Sequence, residues 1–365
     1  MLLAHMGAEV IKIETGGGDR YRHAWMPPGK NRDGYGFIAA NSNKKSIRLN
    51  LKADKGKDLF RAMVKRSDIV AENFTVGVMD KLGLGYSSLR ELNPRLIYAC
   101  SRGYGESGPY RHMRANAATT TAVTGWQWEA MRVANKPGIK VPMEIGDEGS
   151  GMSSCVGILA ALYSRQKTGR GQKVEVSMQE AYMGLMIGTL HGHFEGVEVA
   201  AAPKECADGY YSFHLPDVTD DLWAKLACAL ERPDLVEDPR FLTLKERRKN
   251  YGALEAEVSE MIGGKTRKEL WNALSPLGIS AAPVLSVAEA LEDPHLKERQ
   301  AFVEVDHPVA GKVKLLAPWI RFSETPAAIT STAPAVGQHS REVFHEILGL
   351  GDEEIDGLER EGVIS

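Results

Sequence analysis

Cysteine is scarce in this chain: Cys100, Cys155, Cys206 and Cys228 are the only four, far apart and with no CxxC pair. That spacing offers neither a zinc site nor a disulfide framework, and it points to a reducing, cytoplasmic setting. Surplus charge is also missing. A formal net charge of −3 leaves no excess cations to displace counterions along a phosphate backbone, so no nucleic-acid partner is expected. No apolar run reaches the ~18 residues of a membrane span, and the opening lacks the charged-then-apolar pattern of a signal segment, so no membrane partner is expected. No strand pattern is followed by a G-x-G-x-x-G fingerprint, which argues against a dinucleotide-dependent oxidoreductase. Internal repeats and low-complexity segments are absent.

What remains is ordinary for a globular protein, with 43% hydrophobic and 25% charged residues in a 365-residue chain long enough for two domains. The opening Met1–Glu14 reads as a helix end, a stop at Gly7 and a short strand. Gly16-Gly17-Gly18 follows; it could cradle a phosphate, but no amphipathic helix opens after it, so a flexible loop is the simpler reading. Arg20, Arg22, His23, Lys30 and Arg32 then concentrate positive charge, either as a solvated loop or as a patch for phosphate groups. Further strands are expected at Lys44–Leu51, Asp68–Phe74 and Arg95–Ser101, with a helix over Lys55–Val64 between the first two. Strands alternating with helices imply parallel β-α units, whose ligands sit beyond the carboxyl ends of the strands.

The most informative stretch is Ile145-Gly146-Asp147-Glu148-Gly149-Ser150-Gly151, followed by an apolar run from Met152 to Tyr163. A carboxylate among three glycines has no bulky neighbour to bar a substrate, and the glycines permit positive φ and bare amide N–H groups. Asp147 is therefore either a nucleophile or the cap of the helix that follows. His191-x-His193 has metal-like spacing but no further ligands, and no metal is expected.

Gly-Asp-x-x-x-Gly, the apolar helix with Gly157-Ile158-Leu159-Ala160-Ala161-Leu162, Lys167-Thr168-Gly169-Arg170-Gly171-Gln172-Lys173-Val174 and Ser177-Met178-Gln179-Glu180-Ala181 resemble the family III CoA-transferases. That is the formyl-CoA:oxalate and carnitine CoA-transferase group, with the α-methylacyl-CoA racemases as relatives of the same fold. Glu72-Asn73-Phe74, Asn93-Pro94-Arg95-Leu96-Ile97 and Gly103-Tyr104-Gly105 are similar to further family landmarks. The resemblance implies an α/β fold with a Rossmann-like large domain, built on a parallel sheet, plus a smaller α+β domain. Residues 1–200 would begin the large domain, 201–300 form the small one, and 301–365 return to complete the large one. It also implies an interlocked homodimer.

By the same resemblance Asp147 is the nucleophile, alternately carrying the acyl group and CoA, with the amides of Gly149 to Gly151 steadying the oxyanion. Arg22, Leu49, Asn73, Phe74, Lys81 and Arg114 match CoA-contacting positions. Acyl-CoA and a carboxylic acid acceptor are then the partners, CoA being a substrate with no resident cofactor. The chain opens within what the family has as its first helix, so a strand and part of the CoA and acyl pocket are expected to be lacking. Where the racemases place a His, this chain reads Arg114-Ala115-Asn116-Ala117, with His112 four residues early. Transfer is thus favoured over racemisation, an inactive CoA-binding homologue being the third alternative. Oxalate-type transferases carry a Glu near Ala117, and its absence here argues against oxalate as acceptor; they also place a tetraglycine lid later in the chain, and its absence between Gly196 and Gly209 implies that substrate closure differs.

Overall fold

The computed structural model describes residues 1–24, 26, 33–139, 145–197, 202–215 and 218–364. The chain falls into two compact units, one made of Met1–Ile187 with Lys297–Ser365, the other of Gly188–Leu296.

In the first unit a short helix α1 (Leu2–His5) ends at Gly7, whose φ of +98° a side chain would strain. β1 (Val10–Glu14) then runs parallel to β2 (Lys44–Arg48), with Ile13 opposite Ile47, and α2 (Tyr35–Asn41) lies between them in sequence. α3 (Asp54–Val64) buries Phe60, Met63 and Val64 along one stripe, the apolar spacing visible in its sequence. A parallel sheet of order β3-β4-β5 follows, made of β3 (Ile69–Glu72), β4 (Ile97–Arg102) and β5 (Lys173–Ser177). Parallel neighbours need a crossover, and each crossover here is helical. α4 (Val78–Lys81) and α5 (Tyr86–Leu92) join β3 to β4. α6 (Ala117–Val123), α7 (Trp126–Val133) and α8 (Ile145–Thr168) join β4 to β5, after which α9 (Met178–Leu185) starts at once.

One face of this sheet and of β2 shares a core with α3: Ile47, Leu49, Phe60, Val64 and Tyr98 pack together with Phe344 and Ile355 of the returning segment. That segment also carries an antiparallel hairpin, Phe302–His307 with Gly311–Leu316. Near the end of that segment a helical turn at Ser340–Val343 runs into a π-helical turn at Phe344–Leu348, closed by Gly349 at φ +71°.

The second unit is α+β. Its antiparallel strands β6 (Lys204–Cys206), β7 (Gly209–Phe213) and β8 (Ala281–Pro283) lie in that order, with Tyr211 opposite Pro283. Helices at Asp220–Ala229, Tyr251–Gly263 and Arg267–Leu274 enclose Trp223, Val258 and Leu270. His191 and His193 lie exposed on the helix Ile187–Glu195, where a two-residue step turns side chains to nearly opposite faces, so they do not converge. No helix among the described residues is long and apolar enough to cross a membrane.

Candidate active site

α8 begins at Ile145, two residues before Asp147, so the aspartate sits inside the first turn and is not the cap. Its side chain is exposed, as is that of Glu148, whereas Gly146, Gly149 and Ser150 are buried on the opposite side of the helix. The glycines serve packing. A Cβ at Gly149 would lie 2.8 Å from Leu185 Cδ1, and one at Gly146 would lie 3.3 Å from Tyr182, both on α9. None of Gly146, Gly149 and Gly151 has positive φ, contrary to the freedom expected from the sequence. The amides of Gly149 to Gly151 are likewise not bare, because a helix starting at Ile145 engages them in its own ladder. Asp147 and Glu148 are the acidic residues of that first turn. The N-terminal end of a helix generally suits an acidic side chain in this position.

Packing fixes where that turn lies. Gly146 abuts Met178 and Tyr182, and Met178 directly follows β5. Gln179 donates its backbone N–H to the Gly103 carbonyl just past β4, and Thr120 on α6 donates its hydroxyl to the Met178 sulfur. The first turn of α8 therefore adjoins the carboxyl ends of β4 and β5, the edge where parallel α/β sheets hold ligands. At its far end α8 closes on Gly169 at φ +70°. Gly171 N–H then bonds to Pro94 O, and a Cβ on Gly171 would meet Leu96 O at 2.0 Å. The Lys-Thr-Gly-Arg-Gly-Gln motif is thus a structural splice between α8 and β5.

The sequence-predicted CoA residues divide in two. Asn73 and Phe74 emerge past the carboxyl end of β3, both exposed; Lys81 ends α4, and Arg114 lies in the segment between β4 and α6, each exposed. Phe74 leaves 45% of its surface in solvent. Arg22 and Leu49 behave otherwise. Leu49 is a core residue, 1% exposed, so its side chain cannot reach a ligand. Arg22 is 2% exposed and spends all five guanidinium N–H groups inside the protein. Nε and Nη2 donate to Glu14 at 3.0 and 2.6 Å, Nη1 donates to Asp33 at 2.8 Å, and both terminal nitrogens donate to Pro334 O. No donor is left for a phosphate. Gly18 packs on the same group, since a Cβ there would lie 3.0 Å from Arg22 Nε and 2.7 Å from Val336, so the third glycine of the triplet serves this packing. Arg20 and His23 are exposed, whereas Lys30 and Arg32 lie outside the described residues.

A polar network that the sequence reading missed lies between β3, β4 and β5. Tyr98 and Arg102 alternate along β4 toward one face, where Glu72 ends β3. Glu72 accepts from Arg102 Nη2 at 2.5 Å, Arg102 Nη1 at 2.8 Å, Tyr98 Oη at 3.0 Å and the Phe74 N–H at 2.7 Å. Arg102 also reaches Glu106 at 3.1 Å, and Lys173 pairs with Glu106. Burial works against the Arg102 charge, but the Glu72 hydrogen bonds and charge overcome it and raise its pKa. Glu106 is likewise pushed up by burial, yet Lys173 more than offsets this and holds it below the usual carboxyl range. Burial, with the Glu106 charge beside it, raises the Cys100 thiol to about 12. A polar cavity of about 200 Å³ opens beside the network, walled by Asp80, Tyr86, Ser87, Tyr98, Arg102 and Lys173. The only sequence signal for all this is a charged residue at the end of each of two otherwise apolar strands.

Residues 1–340 match CoA-transferase family III. The chain is 33% identical to a formyl-CoA:oxalate CoA-transferase of Streptomyces coelicolor, covering 100% of this chain and 94% of the relative. It is 32% identical to a succinyl-CoA–D-citramalate CoA-transferase of Chloroflexus aurantiacus, covering 100% and 93%. Among solved structures it is similar to Rv3272 from M. tuberculosis, with a TM-score of 0.81 and 29% identity over 93% of this chain and 92% of that one. A CAIB/BAIF family protein from Brucella suis gives 0.77 and 29%, over 95% and 93%. The chain belongs to CoA-transferase family III. It is a transferase that moves CoA from an acyl-CoA thioester to a free carboxylic acid, with CoA thioesters as its substrates.

Proposed function

We propose that Asp147 is the nucleophile and becomes an aspartyl-CoA thioester during turnover. The observation that carries this reading is an exposed first-turn carboxylate at the carboxyl edge of the sheet in a chain of this family. Asp147 attacks the donor thioester carbonyl, forming an acyl-aspartyl anhydride and releasing CoA thiolate. The thiolate attacks the Asp147 carbonyl, expelling the donor acid. The acceptor carboxylate then attacks the aspartyl-CoA carbonyl, and the released thiolate takes the acceptor acyl group and frees Asp147. A carboxylate is a weak nucleophile, so holding both reactants in place supplies much of the rate, ~7–11 kcal/mol at best. The first-turn amides of α8 are the donors placed to steady the tetrahedral oxyanions.

Asn73, Phe74, Lys81 and Arg114 form the CoA-binding set, Phe74 offering a stacking face for adenine and the two cations facing the phosphates. The acceptors named for the two relatives above, oxalate and D-citramalate, are dicarboxylates, and we assign this chain a small dicarboxylic acceptor other than oxalate. A homodimer is supported by the outer face of α8, where Met152, Val156, Leu159 and Tyr163 are all exposed at helical spacing. Free cysteines throughout support a reducing, cytoplasmic compartment.

The test is mass spectrometry after incubation with a panel of acyl-CoAs. An adduct on Asp147 that hydroxylamine removes, and that Asp147→Asn cannot form, is expected, with activity lowered at least ~10³-fold, ~4 kcal/mol of barrier. Turnover by Asp147→Asn at a comparable rate would overturn the assignment.

A further inference from the structure

We propose that Glu72 and Arg102 are positioning residues that hold the CoA end of the site in its binding shape. The inference rests on the reading that Asn73 and Phe74 contact CoA. Glu72 is the last residue of β3, and its side chain is only 4% exposed. One of its oxygens accepts the Phe74 N–H, closing a tight turn that takes the chain out of the sheet at Asn73. Arg102 grips both oxygens of the same carboxylate, and Tyr98 adds a fourth bond. The Phe74 backbone is therefore pinned while its ring stands in solvent, the combination expected of a recognition side chain whose ordering cost is met before the ligand arrives.

The same guanidinium serves the neighbouring loop. Arg102 donates to Glu106, whose own backbone N–H is held by Glu175 at 2.5 Å and whose carboxylate pairs with Lys173. The loops leaving β3 and β4, which lead to Lys81 and Arg114, thus share one cation. Stability alone is a poor reason for such a cluster, because a buried ion pair often contributes no more than apolar residues of equal volume. What it does supply is directionality: a planar fork matches both carboxylate oxygens at once, and a lysine cannot.

The experiment is a double-mutant cycle on acyl-CoA KM, using Arg102→Lys, Phe74→Ala and the pair. Phe74→Ala is expected to raise KM for acyl-CoA roughly tenfold to a hundredfold by loss of base stacking. Arg102→Lys is expected to raise it about tenfold, leaving kcat and acceptor KM within about twofold, and to add less than about twofold in the Phe74→Ala background. Equal effects of Arg102→Lys in both backgrounds would overturn the proposal, since the cation would then act elsewhere. If Phe74→Ala leaves acyl-CoA KM unchanged, the CoA-contact reading itself fails, and the proposal falls with it. Glu72→Gln, which keeps size and removes charge, repeats the test should Arg102→Lys not fold; a wild-type acyl-CoA KM in that variant also overturns it.

Discussion

Arg22→Met separates the two roles that could be given to this residue, a phosphate contact or an internal tie. The substitution keeps much of the aliphatic volume over Phe37, whose ring the guanidinium covers at 4.0 Å, and removes the charge. It leaves the Glu14 carboxylate, only 1% exposed, with Ser46 Oγ and the Asp19 N–H as its remaining donors. Breaking a buried pair in this way costs about 3–5 kcal/mol, because the surviving charge has lost its counterion. At roughly 2–4 °C per kcal/mol for a large domain, the melting transition of the first unit should fall by ~6–20 °C. The loss should depend on pH. Burial pushes the Glu14 pKa up, but the Arg22 and Ser46 hydrogen bonds, the Asp19 N–H and the Arg22 charge overcome it and hold the pKa below the ordinary carboxyl value. A depressed carboxyl stabilises the fold above its unfolded pKa of about 4.3 and loses that contribution as pH falls through the folded value. The gap between wild type and Arg22→Met should therefore be full at pH 7 and shrink as pH drops below about 4.3. Thermal melts between pH 7 and pH 3, alongside acyl-CoA KM at pH 7, decide the matter. A melting point within about 2 °C of wild type, combined with a large rise in acyl-CoA KM, would refute the reasoning and restore the phosphate role.

The α8–α9 contact should be sensitive to a single methyl. Gly149→Ala places a Cβ 2.8 Å from the end of Leu185, a flexible and half-exposed side chain, so stability should change by about 1 kcal/mol while the displaced Asp147 turn loses several-fold in kcat; Leu185→Ala in the same chain should recover the rate. Gly171→Ala meets backbone at 2.0 Å and cannot be relieved, so its urea midpoint should fall by the equivalent of at least ~3 kcal/mol. The proposed homodimer predicts that wild type sediments as a dimer and Val156→Glu, on the outer face of α8, as a monomer; an unchanged mass would remove α8 from the proposed interface. In native protein at pH 8 a thiol reagent should titrate the exposed Cys228 first, with Cys100, buried and raised to about 12, reacting only on unfolding.

Local pattern carried the reading where the cause was local. The stripe of α3, the stop at Gly7 and the parallel β-α alternation all follow from side chains within a few residues of one another, and each was legible. Asp147 was legible as a residue of interest, but the reason given for its glycines was not the operative one, since Tyr182 and Leu185 are far along the chain from Gly146 and Gly149. Charge counting misplaced Arg22 because a tally of cations cannot see that Glu14, inside an apolar strand, already claims one of them. The helices α6 and α7 went unread for a plainer reason: α6 is rich in β-branched threonines and α7 buries no residue, so neither shows the apolar period that marks a helix. The Glu72–Arg102 pairing depends on strand register, which appears only once β3 and β4 are aligned Glu72 to Cys100.

Under the nucleophilic role proposed for Asp147, its placement bears on which steps its surroundings assist. The field at the N-terminal end of a helix stabilises a carboxylate ion, which by itself slows attack on a thioester. The same field makes the aspartate a better leaving group from the anhydride and its acyl forms more electrophilic, so the later steps gain what the first loses. In that role the first-turn amides of α8 serve the oxyanion formed when thiolate or acceptor adds to the aspartyl carbon. A symmetric exchange between two acids through one aspartyl carbon rewards an environment that favours no single intermediate strongly. A helix start set beside the sheet edge by two packing glycines, with the Asp147 side chain exposed, is the environment the proposed role calls for.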